Sequence, residues 1–99
     1  MYYAIFCEDR PNSLALRKSV RPAHLQRLDD LQKESRLLVA GPLLNEDNEN
    51  PITGGIKGSL IIAAFENWNT AKEWAAADPY VTANVYTRVT VYPFKKVKP

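Results

Sequence analysis

Residues 59–65 read SLIIAAF, a short apolar run that predicts a β-strand with two apolar faces, both of which must be covered in the folded protein. Successive side chains of a strand point to opposite faces of its sheet, and in this segment both sets are apolar. Leu60, Ile62 and Ala64 share one face, and Ile61, Ala63 and Phe65 share the other. A sheet built around such a strand should be buried on both sides.

Three other segments predict strands. YYAIFCED (2–9) is rich in aromatic residues and ends in a turn cluster, RLLVAGPL (36–43) is apolar up to its Gly-Pro pair, and NVYTRVTVY (84–92) is rich in β-branched residues. The intervening segment 44–57 is polar and contains several Asn, Gly and Pro residues, which predicts a long loop.

Pro22 marks the start of the first predicted helix. Proline suits the first turn of a helix, and it disfavours helical backbone angles at Arg21, the residue before it. We therefore predict that the main helix runs from about residue 22 to Ser35, and that Ser13 caps only a short separate turn.

Thr70 and Glu73 predict the start of the second helix, because a Thr followed three residues later by a Glu is the pattern of a capping box. Pro79 should stop this helix near Asp78. The predicted order of elements is therefore strand, helix, strand, strand, helix, strand.

This order folds most simply as two right-handed strand-helix-strand crossovers joined by a hairpin. We predict an α+β protein, a ferredoxin-like βαββαβ sandwich with a four-stranded antiparallel sheet, forming a single domain over residues 1–99. Two helices cover only one face of the sheet, and a chain of this length has no third layer. We therefore predict a homodimer packed through the open sheet faces.

Charge and composition narrow the classes of function. Thirteen basic and eleven acidic residues give a net charge of +2, and they are interspersed outside the FKKVKP tail, so we expect no nucleic-acid partner. Nowhere do eighteen apolar residues run together, so we expect no membrane span. Cys7 is the only cysteine, which predicts a cytoplasmic location and a buried side chain rather than a reactive thiol.

The sequence offers little with which to bind a metal or a nucleotide. One His and one Cys are too few for most transition-metal sites. The Gly54-Gly55 pair lacks the spacing of a dinucleotide-binding or phosphate-binding loop. We therefore expect no metal and no cofactor.

The predicted topology brings polar residues that are distant in sequence to one rim of the sheet. If the first strand points up, the same edge holds the starts of the first helix and of the third and fourth strands, together with the ends of the second strand and the second helix. The residues at these positions are Arg21, His24, Lys57, Ser59, Asp78, Tyr80 and Tyr86.

His24 is the only histidine, and its helical phase places it on the apolar stripe of Leu28 and Leu31. One interpretation is a partly buried imidazole whose hydrogen bonds go to a carbonyl or to water. The other pairs it with Asp78, which would fix its tautomer and raise its basicity for general acid or base catalysis.

The remaining candidates keep two interpretations each. Arg21 could bind an anionic substrate or pair with a surface carboxylate, and Asp78 before Pro79 could simply begin a turn. Ser59 could position a substrate oxygen, but it lacks the surroundings of a nucleophilic serine.

Five segments together resemble the YCII-related family, within the dimeric α+β barrel superfamily. They are SVRPAHLQRL (19–28), LLVAGPL (37–43), KGSLIIAAF (57–65), WAAADPYVTANVY (74–86) and VYPFKKVK (91–98). The resemblance implies a ferredoxin-like dimer with an active site centred on His24 and Asp78. It also implies kinship in fold with muconolactone isomerases and small cofactor-free monooxygenases, while some relatives are dehydrochlorinases of chlorinated hydroxyquinols.

The leading hypothesis is a cofactor-independent enzyme that acts on a small anionic or enolisable metabolite by isomerase, lyase or dehydrochlorinase chemistry. His24 would move a proton, Asp78 would orient it, Arg21 would bind the substrate anion, and Ser59 and Tyr80 would line the pocket. The alternative is a non-catalytic dimer that binds a small molecule or serves another protein.

Overall fold

The computed structural model describes the backbone of residues 1–99 and every side chain except that of Ile52. The strands are β1 (Tyr2–Asp9), β2 (Leu37–Leu44), β3 (Ile56–Ala64) and β4 (Tyr86–Phe94). The helices are α1 (Leu14–Lys33), α2 (Pro51–Gly54), α3 (Trp68–Ala76) and α4 (Pro79–Thr82). None of the described helices is long and apolar enough to span a bilayer.

The four strands form one antiparallel sheet in the order β2-β3-β1-β4. Ile5 in the centre of β1 lies opposite Ile61 of β3 on one side and Val91 of β4 on the other. Both crossovers, through α1 and through α3, return to the same sheet. This arrangement confirms the predicted α+β class, with a four-stranded antiparallel sheet in ferredoxin-like order.

The two faces of the sheet have different surroundings. Tyr3, Ile5 and Cys7 of β1 belong to the buried core, together with Leu31 of α1 and Ala71 of α3. Side chains of the opposite face reach water, since Phe6 is 43% exposed, Val39 50% and Tyr92 54%. In a single chain the helices therefore cover one face only, as expected, and burial of the second face depends on the predicted homodimer.

Helix α1 differs from its prediction at the N-terminal end. It begins at Leu14, directly after Ser13, and Pro22 lies inside it. A proline within a helix costs about 3 kcal/mol in the general case. In α1, the first turns carry Arg17, whose buried contacts with β1 and β3 favour helix there despite that cost. The side chain of Ser13 makes no capping hydrogen bond.

The second helical segment also starts earlier than predicted, and it divides in two. Asn67 is the N-cap of α3, and its side chain accepts a 2.8 Å hydrogen bond from the Thr70 backbone N–H. Thr70 therefore lies in the first turn and is not the cap. Helix α3 ends at Ala76, close to the predicted end near Asp78, and Asp78 caps the separate helix α4, where Pro79 occupies the first turn.

The predicted loop 44–57 is shorter than expected, because it contains α2 and ends where β3 begins at Ile56. Strand β4 begins at Tyr86, two residues later than predicted, and continues to Phe94. The positive backbone angle φ of Asn84 (62°) belongs to the turn between α4 and β4.

Candidate functional site

A cleft of about 440 Å³ lies between α1, strands β2 and β3, and α4. Most of its wall is aliphatic, and its polar lining consists of Arg17, Lys18, Arg21, His24, Ser59 and Tyr80. Three of these side chains are cations, and the described residues of the wall include no Asp or Glu. The charge of this helix–sheet cleft therefore favours an anionic ligand.

His24 and Asp78 meet at the inner wall of the cleft, 54 positions apart in sequence. The imidazole Nδ1 lies 3.0 Å from Asp78 Oδ1 and 2.9 Å from Oδ2. Both residues are buried, with 6% of His24 and 2% of Asp78 exposed. Asp78 is held in place by its capping role, because Oδ1 also accepts a 2.9 Å hydrogen bond from the Tyr80 backbone N–H.

The orientation of the imidazole leaves one nitrogen free. Its ring stacks on Tyr80, with centroids 4.1 Å apart and planes inclined by 22°. A carboxylate at Nδ1 favours the tautomer in which Nδ1–H donates and Nε2 carries a lone pair. No described group forms a hydrogen bond with Nε2, and His24 lines the cleft. A ligand in the cleft can therefore exchange a proton with Nε2.

Arg17 is a central residue of the site that the sequence did not identify. Its Nε lies 2.6 Å from Asp9 Oδ2, and its Nη2 donates to the Gly58 carbonyl at 3.2 Å and to Ser59 Oγ. Its guanidinium also lies 4.6 Å from the centroid of the Tyr80 ring. The apolar periodicity of α1 gives no signal for a buried arginine, because the partners come from other elements.

The charge of Arg17 is set by two opposing effects. Burial lowers its pKa, but the hydrogen bond and the negative charge of Asp9 outweigh burial, so the pKa lies above its ordinary value. The guanidinium is thus a fixed positive group in the cleft wall, already paired with one carboxylate.

Ser59 and Tyr86 form the floor behind Arg17. Ser59 Oγ accepts hydrogen bonds from Arg17 and from the Tyr86 hydroxyl, the latter at 2.9 Å. Ser59 is 3% exposed, so its clearest role is to support Arg17. Burial raises the pKa of Tyr86 well above its ordinary value, so the phenol remains a protonated donor.

Tyr80 and Cys7 are also held in their neutral forms. Burial raises the pKa of Tyr80, although Arg17 and Arg21 lower it in part. Burial raises the pKa of the Cys7 thiol to about 12. Cys7 is 3% exposed, which agrees with the prediction of a buried side chain.

Arg21 and Lys18 lie at the exposed edge of the cleft on α1. Among the described side chains, neither has a hydrogen-bond or ion-pair partner. The interpretation of Arg21 as the partner of a surface carboxylate therefore finds no support. Both cations are available to a ligand that enters beside His24.

Within the part of the chain that the structure describes, no group of three or more His, Cys, Asp or Glu side chains is arranged to hold a metal ion.

The fold and the cleft define a small ferredoxin-like α+β protein with a buried His-Asp pair at the edge of a cationic pocket. Residues 1–95 match the model of the YCII-related domain, and the chain belongs to this family. It is 58% identical over 97 residues to an uncharacterised protein of Haemophilus influenzae, covering 98% of this chain and 99% of that protein. It is 53% identical, with the same coverage, to Protein YciI of Escherichia coli O6:H1.

The chain is also similar to a solved enzyme structure. This is the 5-chloro-2-hydroxyhydroquinone dehydrochlorinase TftG from Burkholderia phenoliruptrix, in complex with 2,5-dihydroxybenzoquinone. The TM-score is 0.84 at 28% sequence identity, and the match covers 96% of this chain and 94% of that one. The family model and the two sequence relatives confirm the resemblance to the YCII-related family, and this structure shares the fold.

Proposed function

We propose that the protein is a cofactor-independent enzyme that uses His24 and Asp78 for acid-base chemistry on a small anionic metabolite. The observation that carries this proposal is the contact of Nδ1 of His24 with both oxygens of Asp78, which leaves Nε2 of this cleft-lining residue without a hydrogen-bond partner among the described groups. Nε2 accepts the substrate proton, and Asp78 fixes the tautomer and stabilises the imidazolium that forms.

The cationic lining supports an anionic substrate. Arg21 and Lys18 have no partners among the described side chains and lie where a carboxylate or phenolate could reach them. The stacked aromatic rings of His24 and Tyr80 favour a substrate with a planar ring. Ser59 contributes through Arg17, whose position it helps to fix.

The reaction class follows from the groups present. A base that removes a proton while chloride leaves with the bonding electron pair completes the loss of HCl from a chlorinated hydroxyquinol. The same base, returning the proton to a different atom, carries out an isomerisation. The similarity to a dehydrochlorinase supports the first of these, and the family membership supports an enzyme of this general type.

A direct test uses 5-chloro-2-hydroxyhydroquinone under anaerobic conditions, with released chloride measured by ion chromatography. We expect turnover by the parent protein and a loss of about 10²- to 10⁴-fold in His24→Ala and in Asp78→Asn, the usual contribution of a positioned base. The exposed α1 residue Gln26 provides the control, and Gln26→Ala should match the parent.

Binding is measured separately, by calorimetric titration with 2,5-dihydroxybenzoquinone. Arg21→Gln should weaken binding about tenfold, because it removes an anion contact from the cleft. Full turnover in both His24→Ala and Asp78→Asn would refute the acid-base role. Tight binding by the parent without any chloride release would favour the non-catalytic binding module.

A further inference from the structure

Asp78 has a second charged neighbour that the proposed reaction does not use. Arg27 lies one turn after His24 on α1, and its Nη1 is 3.5 Å from Asp78 Oδ2. The imidazole and the guanidinium thus both approach the same carboxylate oxygen, Oδ2.

The position of Arg27 is fixed by contacts with α3. Its Nη2 donates a 2.7 Å hydrogen bond to the Trp74 carbonyl, and its Cζ lies 4.1 Å from the centroid of the Trp74 indole. Nη1 is buried and has no hydrogen-bond partner among the described groups. The carboxylate with which it forms an ion pair is that of Asp78. These contacts make the guanidinium a fixed charge and not a mobile surface group.

A buried carboxylate requires a positive neighbour to stay ionised. The Asp78 side chain is 3% exposed, and a neutral His24 offers it a hydrogen bond but no charge. An arginine is protonated throughout the physiological range, so Arg27 supplies that charge in every protonation state of the imidazole. Without Arg27, the simplest way to neutralise Asp78 is to hold a proton on His24.

We propose that Arg27 is a positioning residue that acts through Asp78. Its permanent charge keeps the buried carboxylate ionised beside a neutral His24, so that the Nε2 lone pair stays available to the cleft. The importance of this role for catalysis rests on the proposed acid-base function, but the effect on His24 is a property of the free protein.

Other charged and titratable groups surround the pair and must be considered in any titration. Those in the cleft wall or near the carboxylate are Arg17, Lys18 and Arg21 of α1, Tyr80 of α4, Tyr86 of β4 and Cys7 of β1. The three cations disfavour an imidazolium directly, and the phenols and the thiol remain neutral. Arg27 differs from these groups because it is an ion-pair partner of Asp78.

NMR titration of the single histidine tests the proposal in the free protein. Nitrogen-15 shifts of the imidazole report its protonation and its tautomer, with no assignment ambiguity. In Arg27→Met we expect the midpoint of the His24 titration to rise by about one pH unit, the size of effect that one nearby charge produces. Arg27→Lys retains a charge and should recover at least half of that difference.

Arg36 provides a matched control. Its Cζ lies 5.1 Å from the centroid of the Phe65 ring, and its Nε donates to the Ala64 carbonyl at 3.0 Å, so it packs as Arg27 does but has no contact with Asp78. Arg36→Met should leave the His24 midpoint within 0.2 pH units of the parent, a tolerance of about a fifth of the expected shift.

The Asp78→Asn background separates an indirect effect from direct repulsion. If Arg27 acts through Asp78, Arg27→Met should shift the midpoint less than half as far in Asp78→Asn as in the parent. An unchanged midpoint in folded Arg27→Met, or an equal shift in both backgrounds, would overturn the proposal. If Arg27→Met fails to fold, Arg27→Gln in both backgrounds decides in the same way, because it also removes the positive charge.

The titration and the turnover assay fail independently. A shifted midpoint with full turnover in His24→Ala would leave the role of Arg27 intact and refute the enzyme mechanism. Loss of turnover in His24→Ala, with no shift of the His24 midpoint in Arg27→Met, would support the enzyme mechanism and refute the role of Arg27.

Discussion

Two carboxylates of this protein are almost fully buried as side chains, and each lies against an arginine. The Asp9 side chain is 2% exposed and pairs with Arg17, while that of Asp78 is 3% exposed and pairs with both His24 and Arg27. Each carboxylate joins two different elements, and the cleft is lined by one partner of each, Arg17 for Asp9 and His24 for Asp78. The cleft therefore has a buried, paired charge in its wall and an exposed cationic edge.

The Asp9–Arg17 pair should contribute much more to stability than a surface ion pair. Asp9→Asn leaves a buried guanidinium without its counter-charge, so we expect a loss of about 3 kcal/mol in the free energy of unfolding. Glu34→Gln is the matched change, because it removes the carboxylate partner of Arg36 at a site where Glu34 is 56% exposed. It should cost less than about 1 kcal/mol in urea unfolding, and equal losses would contradict this account.

The raised pKa of the buried Cys7 thiol predicts that the protein becomes less stable in alkaline solution. Its pKa rises from 9.0 to about 12 on folding, so between these pH values the unfolded chain has lost a proton that the folded chain retains. The free energy of unfolding should therefore fall by about 1 kcal/mol between pH 9 and pH 10. Cys7→Ala should flatten this slope in urea titrations, although Tyr80 and Tyr86 add their own decrease above pH 10. Identical slopes in both proteins would contradict the assignment to Cys7.

At the level of elements, the pairing of β1 with β3 fixes the floor of the cleft. Glu8 lies opposite Gly58 in this register, and the Gly58 carbonyl accepts a hydrogen bond from Arg17. A Cβ added to Gly58 would overlap the carbonyl oxygen of Cys7 and lie 2.9 Å from its carbonyl carbon. Only glycine permits this approach of the two backbones.

Gly58→Ala should therefore destabilise the protein by about 3 kcal/mol, because two hydrogen-bonded backbones must separate to admit a methyl group. Gly41→Ala in β2 is the matched change, since a Cβ there meets no atom within 4 Å. We expect it to alter the free energy of unfolding by less than about 1 kcal/mol. Thermal unfolding of both variants distinguishes the sites, and a similar melting temperature for the two would argue against the close approach.

At the level of the whole molecule, the open face of the sheet is an apolar surface in need of a cover. Phe6, Val39 and Tyr92 are each exposed by 43% or more, and the helices pack on the opposite face. A second copy presents the same apolar surface, so two chains can cover one another through an isologous contact. The homodimer predicted from the sequence thus remains a prediction, now with its contact residues named.

Phe6→Glu should convert this dimer to a monomer, because it places a charge in the centre of the contact face. Leu16→Glu is the matched control, since Leu16 is also 43% exposed but lies on α1. Light scattering coupled to size-exclusion chromatography at micromolar concentration measures both. A monomeric parent protein, or a dimer that persists in Phe6→Glu, would contradict the sheet-face contact.

The sequence by itself determined the order of elements, the antiparallel sheet and the inward phase of His24. These features follow from local periodicity and from the few topologies that such an order permits, which also brought Asp78 to the rim near His24. Local signals failed at Pro22, because the start of α1 depends on Arg17 and its distant partners.

Only the tertiary structure decided which charges are buried, and with which partners. A helical pattern does not distinguish Arg17, which pairs with Asp9, and Arg27, which pairs with Asp78, from Arg21, which stays at the exposed edge of the cleft. That difference arises because burial of a charge is favourable only where a carboxylate, a carbonyl or an aromatic ring from another element lies within reach. Such contacts join residues from 8 to 54 positions apart, and they come into existence only when the chain has folded.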